Sequence, residues 1–146
     1  MKLILALVMT RILAGGSASV ALNQWCVAHH LPPLAAHRVA GSAKSTPTAV
    51  RSALGAGAIA YRRVWLACGP VRLLVGDNWY LPSRLTPAMN RRLETSEAPF
   101  GLVVRPLGFH RHTLSVDGPV VRALVVDDAG RPLSYVVETY VRALGD

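Results

Sequence analysis

The segment "YRRVWLACGPVRLLVGDNWYLP" (61–82) decides how the rest of the chain is read. Its two apolar runs are rich in Val, Leu, Trp and Tyr, as strands are, and they meet at Gly69-Pro70. Glycine supplies the positive φ of a type II′ turn and proline tolerates the next position, so the runs form a hairpin with Cys68 facing Val71. Pairing outward from that turn sets Trp65 opposite Leu74, Arg63 opposite Gly76 and Tyr61 opposite Asn78. Paired side chains share a sheet face. Tyr61, Arg63, Gly76 and Asn78 are therefore expected on one patch, with Val64, Leu66, Val71, Leu73, Val75 and Trp79 on a core-like opposite face.

Two readings fit that patch. In the functional one, Gly76 removes a side chain where a ligand approaches, and Arg63 presents a planar donor fork to a carboxylate. In the structural one, Arg63 snorkels to solvent from a half-exposed strand and Gly76 marks a bulge.

Outward from the hairpin, Gly15-Gly16 closes a first helix begun in "MKLILALVMTRILAGG". The same run resembles a signal peptide over nine residues, with Lys2 as its charged start, until Arg11 interrupts it. It is too short to span a membrane. Ser17 or Ser19 opens a second helix that ends before Pro32-Pro33, and "LAAHRVA" (34–40) reads as a short strand. "GSAKSTPTAVRSALGAG" (41–57) reads as a loop holding a short helix, with Thr46 as N-cap and Pro47 at its first position. "LTPAMNRRLE" (85–94) is another helix opened by Thr-Pro, and "TSEAPFG" (95–101) a loop. Three strands follow at about 108–116, 119–126 and 132–142, turning at Asp117-Gly118 and Asp127-Asp128-Ala129-Gly130. Helices early and midway, with strands joined by tight turns, make an α+β fold with an antiparallel sheet. At 146 residues without repeats or low-complexity linkers, a single domain over 1–146 is expected.

Half of the residues are apolar, which excludes global disorder. The net charge of +8 comes mostly from 14 arginines scattered along the chain, not gathered in a basic stripe with interleaved aromatics. No nucleic-acid partner is expected; an anionic small ligand or simple solubility accounts for the balance. Cys26 and Cys68 lie in apolar surroundings without metal spacing, and read as free buried thiols of a reducing compartment. A cytoplasmic protein is expected on that basis, or an exported one if residues 1–21 act as a signal peptide.

Four motifs, in order, resemble bacterial chorismate lyase and its wider superfamily, which includes effector-binding domains of one group of transcriptional regulators. "RVWLAC" places Arg63 on the arginine of an R-x-x-x-x-C strand. "GDNWYLP" places Asn78 where the family has a second functional arginine, and Asp77 on the preceding glycine. "APFG" matches a T-P-L-G motif with Phe100 for leucine, and "GRPLSYVVETY" places Glu138 on a functional glutamate, given one inserted residue. "GGSASVAL" is a looser match to an S-M-T helix signature at Ser17, Ala18 and Ser19.

The resemblance implies a sheet of six strands with helical flaps over a buried site. It also implies a cofactor-free elimination of pyruvate from chorismate, giving 4-hydroxybenzoate for ubiquinone. Such an enzyme orients a dianion and manages protons as the ring aromatises. Arg63 would clamp a carboxylate, and Glu138 would contact the 4-hydroxyl as acid or base. Gly76, Asp77, Asn78, Phe100 and Ala18 would complete the substrate site, partly through backbone N–H groups. Asparagine carries no charge, so one of two cations facing a dianion is missing, unless Arg72 or Arg84 compensates. The alternative is a non-catalytic relative that binds a small aromatic carboxylate. A regulator of that group carries a DNA-binding domain ahead of this one, and the short chain before residue 17 leads us to expect none.

Other chemistries have less behind them. His110 and His112 of "HRH" share a strand face but lack a third metal ligand, so no metal is expected. "GAGAIAY" lacks the Lys-Ser/Thr of a phosphate loop, and no serine sits in a nucleophile elbow. A monomer is expected.

Overall fold

The computed structural model of the chain describes residues 2–40 and 45–141, with side chains from residue 8 onward. Helices α1 (Lys2–Leu13) and α2 (Ala18–Ala28) precede strand β1 (Leu34–Arg38), and α3 (Thr48–Leu54) leads into β2 (Ala60–Cys68) and β3 (Val71–Tyr80). Helices α4 (Pro87–Thr95) and α5 (Phe100–Val103) come next, then β4 (His110–Asp117), β5 (Val120–Val126) and β6 (Pro132–Tyr140). All pairings are antiparallel and the six strands lie in the order β1-β2-β3-β6-β5-β4. The α+β class and the six-stranded sheet are those expected.

Local chemistry sets most of the boundaries. Ser17 caps α2, its hydroxyl accepting from the Val20 N–H at 3.3 Å, and Thr86 caps α4, accepting from the Met89 N–H at 3.1 Å. Gly15, at φ +106°, takes the left-handed turn that ends α1. Helix α3 departs from expectation: it starts at Thr48 after Pro47, and Thr46 does not cap it.

One sheet face carries α1 and α2, where Ile12, Leu22 and Trp25 pack with Val64, Leu66 and Leu74. Beside them Leu93 of α4 and Phe100 and Val103 of α5 pack with Tyr80 and Val125. The opposite face is covered by α3, where Val50 and Leu54 meet Trp79 and Tyr135.

The cysteines correct the sequence reading. Cys26 of α2 and Cys68 at the end of β2 are joined in a disulfide with Cα atoms 5.7 Å apart. Both are fully buried, and apolar surroundings suit a bridged pair as well as free thiols, so composition alone misleads. The argument from thiols to a reducing compartment goes with them. Among the described residues, no helix is long and apolar enough to cross a membrane.

Candidate ligand-binding site

The β2–β3 hairpin turns at Gly69-Pro70 with Cys68 opposite Val71, as expected, and then departs from simple pairing. Leu66 pairs with Leu74 while Ala67 pairs with Arg72, so Leu73 is an extra residue in β3. Such a bulge shifts everything beyond it by one, and with a side-chain period of two the shift exchanges the faces. Trp65 therefore faces Val75, Arg63 faces Asp77, and Arg62 faces Asn78. Gly76 and Asn78 share their face with Arg62, Val64 and Leu66, not with Tyr61 and Arg63.

That face floors a cleft whose space, with its open mouth included, is about 520 Å³. The N-terminus of α2 (Ser17, Ala18, Ser19) and the start of α5 (Phe100, Gly101) form its roof. Those two elements touch closely: a Cβ at Gly101 would lie 2.8 Å from the hydroxyls of both Ser17 and Ser19. Phe109, Val125 and Val136 supply apolar wall. At Gly76 an added Cβ would make only an ordinary 3.5 Å contact with Leu74, so no close approach of the protein itself demands glycine there.

Arg62 is the cation of this cleft. It is 7% exposed, and its guanidinium donates to the carbonyls of Leu93 (3.3 Å) and Ala98 (3.5 Å). Among the described residues it forms no ion pair, and its Nε has no partner. Burial, with Arg38 adding repulsion, lowers its pKa to about 10 despite the opposing influence of Tyr80. Asn78, its cross-strand partner, is 5% exposed with neither amide atom bonded.

One row further along the sheet, Gly76 pairs with Glu138. Successive rows on one face lie about 7 Å apart, close to the length of a substituted ring. Both Glu138 oxygens are held by Arg111 of β4: Nη1 donates to Oε2 at 3.1 Å and Nη2 to Oε1. The Tyr140 hydroxyl also donates to Oε1 at 3.3 Å. Burial works against the Arg111 cation, but the charge and hydrogen bonds of Glu138 outweigh it and raise its pKa. Burial, reinforced by Glu138, raises the Tyr140 pKa well above the usual value.

Of the expected site residues, Ala18, Gly76, Asp77, Asn78, Phe100 and Glu138 all line the cleft. Arg63 does not. Its guanidinium lies on the other face, 3.4 Å from the Asp77 carboxylate, which also accepts from the Tyr61 hydroxyl. Asp77 thus borders the cleft while its charge is spent outside. Nor do the proposed compensating arginines enter: Arg72 stacks 4.6 Å over Trp65, and Arg84 donates to the Pro132 carbonyl. The sequence reading missed Arg62 and Arg111. Arg111 was legible in "HRH", because two histidines on one strand face put the residue between them on the other. His110 meets Asp128 at 2.7 Å, and the described residues hold no cluster of three metal-ligating side chains.

The six-stranded antiparallel sheet with helices over the cleft on one face is the architecture that the resemblance implied. No family model matches the chain. It is 34% identical over 171 aligned positions to "Uncharacterized protein y4mC" of Sinorhizobium fredii (strain NBRC 101917 / NGR234), covering 92% of this chain and 72% of that one. The chain belongs to the same family as y4mC. Among solved structures it is similar in fold to PhnF from Mycobacterium smegmatis (TM-score 0.57, 16% identity, 86% of this chain). It is also similar to the possible transcriptional regulator YydK from Bacillus subtilis subsp. subtilis str. 168 (TM-score 0.52, 12% identity, 77% of this chain). It spans 63% and 60% of those two solved chains.

Proposed function

We propose that the chain is a binding domain for a small aromatic carboxylate, which it holds without turning over. The observation that carries this reading is the buried Arg62 cation, which meets no counter-ion among the described residues. Removing a guanidinium from water costs several kcal/mol unless an anion meets it in good geometry, and the cleft leaves that place open. A carboxylate there would take bidentate bonds from Arg62, while Phe100, Phe109 and Val136 enclose its ring.

The lyase reading has less support. Eliminating pyruvate from chorismate requires a group that can give or take a proton at the ring, and the matching carboxylate, Glu138, has both oxygens engaged by Arg111. The second arginine that would grip a dianion is replaced by Asn78. YydK, which shares the fold, is a possible transcriptional regulator, and sensing a ligand suits a domain that binds without chemistry. We read residues 1–146 as one such domain, needing no cofactor.

Incubation with chorismate, followed by chromatography for 4-hydroxybenzoate, tests this directly. The expected result is no product above the uncatalysed rate, together with saturable calorimetric binding of added 4-hydroxybenzoate. Enzymatic product formation would overturn the proposal in favour of the lyase.

A further inference from the structure

We infer that the cleft selects an aromatic monocarboxylate carrying a hydrogen-bond donor next to its acid group, and discriminates against dicarboxylates. This rests on the binding-domain reading above and goes on to name the ligand class.

Charge comes first. The ionisable groups lining the cleft are Arg62, Asp77, Arg111 and Glu138. Arg111 is neutralised by Glu138, and Asp77 by Arg63 on the far face. Arg62 is left with one positive charge. The N-terminus of α2 adds at most about half a charge, short of a second anion. A dicarboxylate would therefore bring an uncompensated negative charge against the buried floor of the cleft near Glu138, where repulsion is less screened than in bulk water. Among the described lining residues there is no second unpaired cation to meet a dianion.

Asn78 supplies the second constraint. Its Oδ1 and Nδ2 are both buried and unpartnered, so the conclusion holds whichever way the amide is turned. Filling both positions takes one acceptor and one donor. A carboxylate on Arg62 reaches the neighbouring Nδ2, since cross-strand pairs hold their Cβ atoms about 5 Å apart. A carboxylate has no donor for Oδ1. A hydroxyl or amine on the adjoining ring carbon does.

Three probes of one shape separate the alternatives: benzoate, 2-aminobenzoate and phthalate, which carry hydrogen, a donor and a second carboxylate at the same ring position. Calorimetric titration of the full chain is expected to rank 2-aminobenzoate about tenfold tighter than benzoate (about 1.4 kcal/mol), with phthalate weakest. In Asn78→Leu the gap between benzoate and 2-aminobenzoate is expected to close while benzoate still binds. Phthalate binding as tightly as 2-aminobenzoate, or a donor preference that survives Asn78→Leu, overturns this inference and leaves the binding-domain reading intact. Failure of all three probes to bind overturns both.

Discussion

Arg62 and Arg63 are consecutive in the chain and meet opposite fates. Arg63 stays partly in solvent beside Asp77, a pairing that surface measurements value at less than about 1 kcal/mol. Arg62 is buried against two carbonyls with no ion-pair partner among the described residues, an arrangement that raises the free energy of the unliganded fold. Replacing it with methionine keeps the unbranched length and removes the charge. Arg62→Met is expected to stabilise the free protein by about 1–3 kcal/mol, read as a higher midpoint in urea denaturation. A lower midpoint would mean that Arg62 serves the fold and not a ligand. At this scale the motif match pointed one residue away from the cleft. The resemblance identified the right strand, yet Arg62 and Arg63 carry the same side chain, and only register tells them apart.

At the scale of elements, register is decided by Leu73. Leu73 and Leu74 are both fully buried, which strict alternation forbids and a bulge permits. "VRLLVG" offers two adjacent leucines, and apolar pattern alone does not say that one of them is supernumerary. The parts set by local chemistry were legible: the Gly69-Pro70 turn, a serine cap on α2 left between Ser17 and Ser19, and the Asp127–Gly130 turn between β5 and β6. That last turn is organised by Asp127, whose carboxylate accepts from the N–H groups of Ala129 and Arg131 and from the Arg131 side chain. The backbone bond from Arg131 is the largest of the influences that hold its pKa below the usual 3.8. A depressed folded-state pKa contributes stability above the unfolded value that is lost as pH falls through the folded one. Thermal melts between pH 5 and pH 2 should therefore show the wild type losing stability more steeply than Asp127→Asn, which cannot ionise. Parallel curves would remove Asp127 from this role.

For the whole molecule, the sheet places α2 and α5 over the same face, and the roof of the cleft depends on where α2 sits. Two constraints hold it: the packing of Leu22 and Trp25 on the sheet and the Cys26–Cys68 bridge to the end of β2. The bridge closes a loop with a sequence separation of 42, for which chain entropy alone predicts roughly 4 kcal/mol. Nothing local in the sequence announces a pairing over that distance, which is why it was not legible. Cys26→Ala/Cys68→Ala is expected to lose about 2–4 kcal/mol in urea denaturation, with α2 retained in far-UV circular dichroism. Two thiols titrating in the native wild type without reductant would contradict the bridge. Ligand binding under that roof depends on which of the two neighbouring arginines the cleft holds. The direct test is calorimetric titration of benzoate into the wild type, Arg62→Met and Arg63→Ala. Binding is expected to fall about 10- to 100-fold in Arg62→Met, the worth of one charged hydrogen-bonded contact, and to be unchanged in Arg63→Ala. Loss of binding in Arg63→Ala with Arg62→Met unaffected would contradict the account.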